Sequence, residues 1–540
     1  VVEHVLAKDE TRVRFSVPAH RQKFHMKHSN QHNFIGKIPD YVLFVTDKLN
    51  KAGFEAFVVG GCVRDLIIGK DPKDWDVTTN ATPEQIISLF EKTIYENTFG
   101  TVGVCIPKVN VARETSTRVS GKAVSYETAT SDDKIEYNIV EVTPYRTETI
   151  YSDGRHPDSV AFSDNIHDDL KRRDFTVNSM AYSPVKDILI DDYNGQKDIS
   201  DKAIRTVGEA DERFAEDALR MLRAVRFSCQ LGFTISHETI EGVIHNQELL
   251  QKISAERIRD EFVKIIMSPD PTLGVGMLVK LGLNKYIVPE LEEGVGCVQG
   301  GEHIYDVFEH MLQALGHAAN KNLPLAIRLA ALFHDIGKPR TKRAGVRKPT
   351  FYGHEVVGAR MVAKIMERLK FPKDISEMVT KLVRYHMFFS DTEQITLSAV
   401  RRTIVNVGRE NIWDLMEVRE CDRVGMKKKE APYRLRKYHA MIEEALRAPT
   451  SVGMLKINGG VLIKELEIKP GPRMGWILHA LLEECLEDDT KNNSDYLKSQ
   501  ALELNKLSDK DLRELGEKGK EKKEETEQEE LQKIHKKHGL

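Results

Sequence analysis

Two aspartates separated by one residue, Asp74 and Asp76, are the first side chains whose spacing suggests chemistry. On a strand, residues i and i+2 point to the same side, so both carboxylates would face one site. Like charges this close repel unless a cation lies between them, and hard carboxylate oxygens suit magnesium, which usually brings nucleotide phosphates with it. Upstream, Gly60, Gly61 and the cation of Arg64 are typical of a phosphate-binding turn. The alternative is a solvated turn with both aspartates exposed.

A third carboxylate, Glu141, interrupts an apolar run at 139–142. A charge in such a segment is costly unless it is paired or ligates a metal. We therefore expect Glu141 to join Asp74 and Asp76 in a site for two magnesium ions. One ion would lower the pKa of a 3′-hydroxyl and the other would neutralise leaving pyrophosphate. The alternative is an edge strand with Glu141 facing water.

A pair of arginines, Arg172 and Arg173, directly precedes Asp174. Planar guanidiniums bind phosphate oxygens well, so the pair could clamp a triphosphate. A surface ion-pair cluster explains the same residues equally well.

A helix predicted over Glu212–Phe227 carries Asp217 and Arg220 three residues apart, with Arg223 and Arg226 following at steps of three. A carboxylate accepts from the exocyclic amine of a base, and an arginine donates to its ring nitrogen and carbonyl. Together they would read a nucleobase without a template, and the later arginines would reach phosphates. The alternative is an i,i+3 salt bridge on a solvated face.

A second constellation of histidines and aspartates is spread over residues 300–430. Imidazoles and carboxylates drawn from several helices can hold one or two transition metals, which activate a water. A lone buried histidine is usually a core residue, but a series in which His-Asp is followed by Gly-Lys-Pro favours a metal site. The residues are His310, His334, Asp335, His354, His386 and Asp422.

The elements that must position these residues can be read from periodicity and turn residues. Val42, Val45 and Leu49 predict a helix over 39–51. A buried strand is expected at 57–59, and a helix with Thr82 as N-cap and proline at its first position follows. Further strands are predicted at 100–106 and 138–145, and an Asn194-Gly195 pair signals a hairpin.

Composition limits the class of protein. The chain has 540 residues, so three or four domains are expected, and its 80 basic and 83 acidic residues give a net charge of −3. Only local patches could therefore argue for nucleic acid. Six cysteines without a CxxC pair predict neither a disulfide framework nor a zinc knuckle. We find no apolar run of transmembrane length, and we expect a cytoplasmic protein that does not bind a membrane.

Four motifs in this order resemble the class II tRNA nucleotidyltransferase and bacterial poly(A) polymerase family: GGCVRD from Gly60, DWD from Asp74, RRDFTVNSMAY from Arg172 and EDALRMLRAVRF from Glu216. The resemblance covers roughly residues 40–270. It implies an α+β fold in which a head with a five-stranded mixed sheet carries the metal site and a helical neck follows.

The resemblance also implies site residues and partners. The counterparts of Asp74 and Asp76 bind metal, and those of Asp217 and Arg220 select the base. The nucleotide contacts fall on the counterparts of Gly61, Arg64, Arg173, Arg223 and Arg226. Enzymes of the family use CTP and ATP to build the 3′-terminal CCA of tRNA.

The histidine and aspartate series resembles the HD phosphohydrolase superfamily. This implies an all-α domain, a metal such as Ni²⁺, Mn²⁺ or Fe²⁺, and hydrolysis of phosphate monoesters or 2′,3′-cyclic phosphates. An HD fold without activity, kept for RNA binding, is the alternative.

We predict six regions from these motifs and from the composition. They are a basic extension at 1–40, a head at 41–185 with an insertion at 109–136, a neck at 186–275, an HD domain at 295–430, a helical region at 431–500 and a charged tail at 501–540.

Two other functions remain open. One is a poly(A) polymerase or an enzyme that adds only CC or only A. The poly(A) branch more often has proline where this chain has Ala218, which favours the tRNA enzyme. The other is an HD phosphohydrolase or RNA-binding protein whose head has lost transfer activity. The presence of Arg64, Asp74, Asp76, Asp217 and Arg220 argues against it.

Overall fold

The structure is a computed structural model that describes residues 34–96, 100–108, 136–148, 160–300, 304–345, 349–387, 396–424, 432–446 and 452–516. Most of the predicted basic extension and charged tail, and all but the last residue of the insertion predicted at 109–136, lie outside the described residues. The chain divides into two compact units, 1–253 and 254–540.

The first unit is built on a mixed sheet with helices around it. Its helices are α1 (Asp40–Lys51), α2 (Gly61–Ile68), α3 (Pro83–Leu89), α4 (Ile166–Lys171), α5 (Gly195–Ser200), α6 (Ala210–Glu216), α7 (Leu219–Leu231) and α8 (His237–Asn246). Its strands are β1 (Ala56–Val59), β2 (Asp76–Thr79), β3 (Thr93–Glu96), β4 (Thr101–Pro107), β5 (Tyr137–Pro144), β6 (Arg146–Glu148), β7 (Val160–Phe162), β8 (Ala181–Ser183), β9 (Ile188–Ile190), β10 (Ala203–Ile204) and β11 (Thr234–Ile235).

The main sheet has seven strands in the order β3-β4-β5-β2-β1-β8-β9, so the expectation of five is wrong. Short strands β8 and β9 extend the sheet beyond β1, each paired antiparallel with its neighbour. A three-residue strand has too few alternating positions to stand out in a sequence. Strand β2 lies between β1 and β5 and runs parallel to β5, with Asp76 opposite Glu141.

Local signals for α1 and α3 are confirmed. Helix α1 buries Val42, Val45 and Leu49 as its spacing predicts. Helix α3 begins with a capping box, in which the Thr82 hydroxyl accepts from the Gln85 backbone N–H and the Gln85 side chain accepts from the Thr82 backbone N–H.

Two local predictions are wrong. Asn194 does adopt the left-handed conformation, but it precedes helix α5 and makes no hairpin. The helix predicted over Glu212–Phe227 is two helices, α6 and α7, because Asp217 has extended backbone and its Oδ1 accepts from the Leu219 N–H at 3.0 Å. Aspartate competes for nearby backbone donors in this way and so favours helix starts over helix interiors.

Among its described residues, the second unit is built from helices joined by loops, with isolated β-bridges between Val298 and Asp306 and between Arg343 and Thr350. Its helices are α9 (Ala255–Ile266), α10 (Pro271–Lys280), α11 (Val307–Asn320), α12 (Leu325–Phe333), α13 (Lys338–Thr341), α14 (His354–Arg368), α15 (Lys373–Tyr385), α16 (Leu397–Val407), α17 (Ile412–Asp422), α18 (Pro432–Ala445), α19 (Gly459–Lys464), α20 (Pro472–Glu487) and α21 (Ser494–Asn505). Pro470 lies between α19 and α20, and Pro472 is the first residue of α20. No helix of the described residues is long and apolar enough to cross a bilayer.

Candidate active site and metal centre

The turn between β1 and α2 brings the first group of predicted residues together. Gly60 has φ +82° and ψ −136°, a backbone conformation that residues other than glycine rarely adopt. Its N–H donates to the Met180 carbonyl at 3.2 Å. A Cβ at Gly60 would lie 3.1 Å from Arg173 Nη1 and 3.7 Å from Asp76 Oδ2. A guanidinium and a carboxylate therefore converge on the bare backbone of this turn, which Gly61 continues as the first residue of α2.

The carboxylates of the head repel one another. Asp76 is the first residue of β2 and is half-buried, whereas Asp74 lies just before the strand and is exposed. Burial, with the charges of Glu141 and Asp74, raises the pKa of Asp76 to about 6, although Arg173 acts in the opposite direction. A bound divalent cation would relieve this repulsion, so the donor set fits one.

The predicted third ligand is Glu141, on the strand next to Asp76. Glu141 lies beside Asp76 in the strand register but is exposed. Within the described part of the head, no three His, Cys, Asp or Glu ligand atoms lie within 4.8 Å of one another. The role of Glu141 as a metal ligand stays a prediction.

Arg172 and Arg173 form an ion-pair cluster with one fully buried carboxylate. The Oδ1 atom of Asp169 accepts from Arg172 Nη2 at 2.5 Å, and Oδ2 accepts from Arg173 Nη2 at 2.9 Å. The two guanidiniums outweigh burial and lower the pKa of Asp169. Asp169 thus orients Arg173 toward the Gly60 turn.

Arg64 and Arg223 are also held by neighbouring polar groups. Arg64 Nη1 donates to Asn178 Oδ1 at 2.6 Å, and Arg223 Nε donates to Asp174 Oδ2 at 2.7 Å. The guanidinium of Arg226 lies over the Phe227 ring, with Cζ 4.3 Å from the centroid.

The predicted base-reading pair does not form a salt bridge between its own members. Arg220 Nη1 donates to Glu216 Oε2 at 2.5 Å, and Nη2 donates to the Arg172 carbonyl at 3.1 Å. The Asp217 carboxylate instead caps α7 through the Leu219 N–H. Arg220 therefore ties the start of α7 to the segment that carries Arg173.

In the second unit, all six predicted metal ligands come together. They form two groups that share Asp335, with the ligand atoms of each group within 4.8 Å of one another. Centre A is His310, His334, Asp335 and Asp422, and centre B is Asp335, His354 and His386. Asp335 Oδ2 lies 3.2 Å from His334 Nε2, and Oδ1 lies 3.2 Å from His354 Nε2, so each oxygen faces one centre.

Backbone carbonyls fix which histidine nitrogens face these centres. The Nδ1 atoms of His334, His354 and His386 lie 2.7–2.8 Å from the carbonyls of Ala331, Phe351 and Val383. Because a carbonyl can only accept, each Nδ1 carries a proton and each Nε2 faces the site. Between His354 and His386 the two Nε2 atoms are 3.3 Å apart, a separation that suits a shared cation.

Neighbouring positive charge keeps Asp335, the ligand that centres A and B share, ionised. Lys338 Nζ lies 2.5 Å from Asp335 Oδ2, and Lys338 with His334 outweighs burial to hold the pKa of Asp335 well below its usual value. Gly337 permits the close approach of α14, because a Cβ there would lie 2.2 Å from the His354 carbonyl. The donor set fits one or two transition metals.

Comparison with known proteins agrees with this geometry. Residues 56–205 match the Poly A polymerase head domain, 232–294 match the Probable RNA and SrmB- binding site of polymerase A, and 307–424 match the HD domain. The CCA-adding enzyme of Lactobacillus delbrueckii subsp. bulgaricus is 41% identical over 241 residues, but that alignment covers only 45% of this chain and 54% of the relative, about half its length.

A longer match decides the family. The CCA-adding enzyme of Lactiplantibacillus plantarum is 30% identical over 460 residues, which cover 84% of this chain and 93% of that protein. This chain belongs to the CCA-adding enzyme family. The solved structure of the Bacillus stearothermophilus CCA-adding enzyme in complex with CTP superposes with a TM-score of 0.62 at 26% identity, covering 86% of this chain and 96% of that one.

Within this CCA-adding enzyme fold, sequence reasoning missed the residues that hold the predicted ones in place. Asp169 precedes Arg172 and Arg173 by three and four residues, a helical spacing that could have identified it. Asn178 and Phe227 each have one partner four residues away, Asp174 and Arg223. Their contacts with Arg64 are distant in sequence and carry no such signal.

Proposed function

We propose that this chain adds C and A nucleotides to the 3′ end of tRNA from CTP and ATP, without a nucleic-acid template, and releases pyrophosphate. The observation that carries the proposal is the convergence of Asp76 and Arg173 on the Gly60 turn. It places a carboxylate that can ligate a metal beside a guanidinium and bare backbone that can receive a polyphosphate.

Asp74 and Asp76 would hold magnesium, with Glu141 as the candidate third ligand, and magnesium when bound supplies activation of the primer hydroxyl and neutralisation of pyrophosphate. The chain's own residues position the reactants. Arg173, oriented by Asp169, would pair with phosphate oxygens of the nucleotide. The primer O3′ then bonds to the α-phosphorus as the bond to pyrophosphate breaks.

Base selection would fall to Asp217 and Arg220 at the start of α7. Within the described residues, three hydrogen bonds hold Arg220 at the Arg213 carbonyl, the Glu216 carboxylate and the Arg172 carbonyl. Since a guanidinium has five N–H donors, two remain beyond these three bonds. Replacement of Arg220 by alanine should therefore blur the choice between CTP and ATP more than it slows phosphate chemistry.

The test is to offer a tRNA transcript ending at the discriminator base with CTP alone, ATP alone and both. Addition of two C residues and one A, followed by a stop, supports the proposal. A long A tail on any RNA would instead support a poly(A) polymerase. Addition limited to CC or to A would identify a partial enzyme, and no incorporation would refute transfer altogether.

We also propose a second activity, metal-dependent hydrolysis of phosphate monoesters or 2′,3′-cyclic phosphates on RNA ends. The supporting observation is the meeting of six ligands in centres A and B. A transition metal there would supply an activated water when bound. Asp335 would be shared between the centres, and Lys338 would balance its charge.

Phosphate release from an RNA with a 2′,3′-cyclic end, in the presence of Ni²⁺, Mn²⁺ or Fe²⁺, tests this second activity. His354→Ala should remove it while CCA addition continues. If metal binds but no ester is hydrolysed, the centre serves structure or RNA binding instead.

A further inference from the structure

One aromatic ring in the first unit gathers three of the predicted nucleotide-contacting arginines. The Cζ atoms of Arg226, Arg223 and Arg64 lie 4.3, 5.3 and 5.6 Å from the centroid of Phe227. Phe227 is 7% exposed, and Phe175 packs on it edge to face with centroids 5.7 Å apart. A guanidinium within about 6 Å of a ring is attracted by the ring quadrupole, more strongly as water is excluded.

A hydrogen-bonded chain joins the same arginines by a second route. Arg64 Nη1 donates to Asn178 Oδ1 at 2.6 Å, and Asn178 Nδ2 donates to Asp174 Oδ1 at 3.3 Å. The other oxygen of Asp174 accepts from Arg223 at 2.5 and 2.7 Å. Asn178 and Asp174 are both buried, so water competes little with these bonds.

These two routes connect elements that would otherwise be separate. Arg64 belongs to α2, which begins at the glycine turn, whereas Arg223 and Arg226 belong to α7, which begins at the base-selecting residues. Three guanidiniums at one place repel one another and must be held together by the surrounding structure. Such a group of cations suits a ligand with several negative charges.

We propose that Phe227 and Asn178 are positioning residues that hold Arg64, Arg223 and Arg226 as one preorganised site for the polyphosphate of the incoming nucleotide. This inference rests on the proposed nucleotidyl transfer and deepens it. Because CTP and ATP share the polyphosphate, loss of either residue should weaken the binding of both nucleotides by the same factor. Loss of a base-reading residue should instead change the ratio of the affinities for CTP and ATP.

The experiment measures binding of CTP, ATP and inorganic tripolyphosphate to the full chain by calorimetry with magnesium present, together with KM and kcat for transfer. In Phe227→Leu, we expect the Kd of all three ligands and both KM values to rise about five- to tenfold, with a smaller change in kcat. Phe227→Tyr keeps the ring face and should restore binding to within about threefold of wild type. Asn178→Ala should raise the same constants about fivefold.

A double mutant separates positioning from a general structural role. If Phe227 acts through Arg64, the effect of Phe227→Leu on tripolyphosphate binding should shrink when Arg64 is already alanine. The matched control is Phe214→Leu, a buried ring of α6 that packs beside Gly242 and lies outside the proposed site. It should leave tripolyphosphate binding unchanged.

Several results would overturn the inference. They are unchanged tripolyphosphate binding in Phe227→Leu, weakening of only one nucleotide, full additivity with Arg64→Ala, or equal loss of binding in Phe214→Leu. If wild type binds tripolyphosphate but adds no nucleotide to tRNA, the proposed transfer fails. The binding pattern of the variants would then still decide on the polyphosphate site.

Discussion

Two glycines with the same φ offer the sharpest test of the head site. Gly60 and Gly69 both have φ +82°, but a Cβ at Gly60 would meet Arg173 and Asp76, whereas a Cβ at Gly69 would meet nothing within 4 Å. Gly60→Ala should therefore disturb the site itself, and Gly69→Ala should only strain the backbone.

The magnitudes follow from backbone conformation and from the Arg173 contact. Gly69 has ψ 24°, the left-handed helical region, so alanine there costs about 1–2 kcal/mol of unfolding free energy. Gly60 has ψ −136°, a region still less accessible to alanine, so we expect about 1–3 kcal/mol. The added Cβ would also lie 3.1 Å from Arg173 Nη1, and a shift of this guanidinium would disturb the 2.9 Å ion pair between Arg173 Nη2 and Asp169. We expect about a tenfold rise in KM for CTP and ATP, equivalent to about 1.4 kcal/mol.

Nucleotide addition to tRNA is measured for both variants at 25 °C, after thermal unfolding has shown that each is folded. For a unit of this size, about 1 kcal/mol corresponds to about 2–4 °C in Tm. Gly60→Ala should lower both Tm and the affinity for nucleotides, whereas Gly69→Ala should lower Tm and leave KM unchanged. If the two variants lost activity equally, or if Gly60→Ala kept a wild-type KM, the convergence of Asp76 and Arg173 on the turn would have no functional meaning.

Three further outcomes are expected. Asp76→Asn should abolish nucleotide addition but leave hydrolysis of 2′,3′-cyclic ends intact, and a parallel loss of both activities would contradict two separate sites. Asp169→Asn should lower the free energy of unfolding by about 3 kcal/mol at pH 7, because two guanidiniums lose a buried partner. Because folding lowers the pKa of Asp169, its ion pairs stabilise the folded protein fully above the unfolded pKa of about 4, and this stabilisation is lost as pH falls through the folded pKa. The free energies of unfolding of wild type and variant, measured by denaturant titration, should therefore converge in acid. His386→Ala should remove metal from centre B alone, whereas Asp335→Ala should remove metal from both centres. The metal content of each variant is measured by elemental analysis after dialysis against Mn²⁺. Equal metal content in the two variants would refute the sharing of Asp335.

Local chemistry in the sequence predicted much of this protein. The helical stripe of α1, the Thr82 N-cap of α3 and the strands around the carboxylates depend on neighbours a few residues apart, so spacing alone reveals them. The order of the motifs likewise indicated the family, because the residue types that bind phosphate and metal recur at fixed intervals. The order of histidines and aspartates likewise predicts the six ligands of the second unit.

Longer contacts could not be read in the same way. The sequence placed Asp217 and Arg220 on one helix, yet the structure divides that helix at Asp217 and pairs Arg220 with Glu216. Only the folded chain shows that each oxygen of Asp335 faces a different centre.

The sequence by itself determined which chemical groups are available: paired carboxylates, arginines, glycines at a turn, and a series of histidines. Tertiary structure decided which of them share a site and what holds them there. Arg64 and Phe227 are far apart in sequence, and their contact depends on how α2 and α7 pack. Such packing is set by the shapes and buried surfaces of whole elements, which no local pattern encodes.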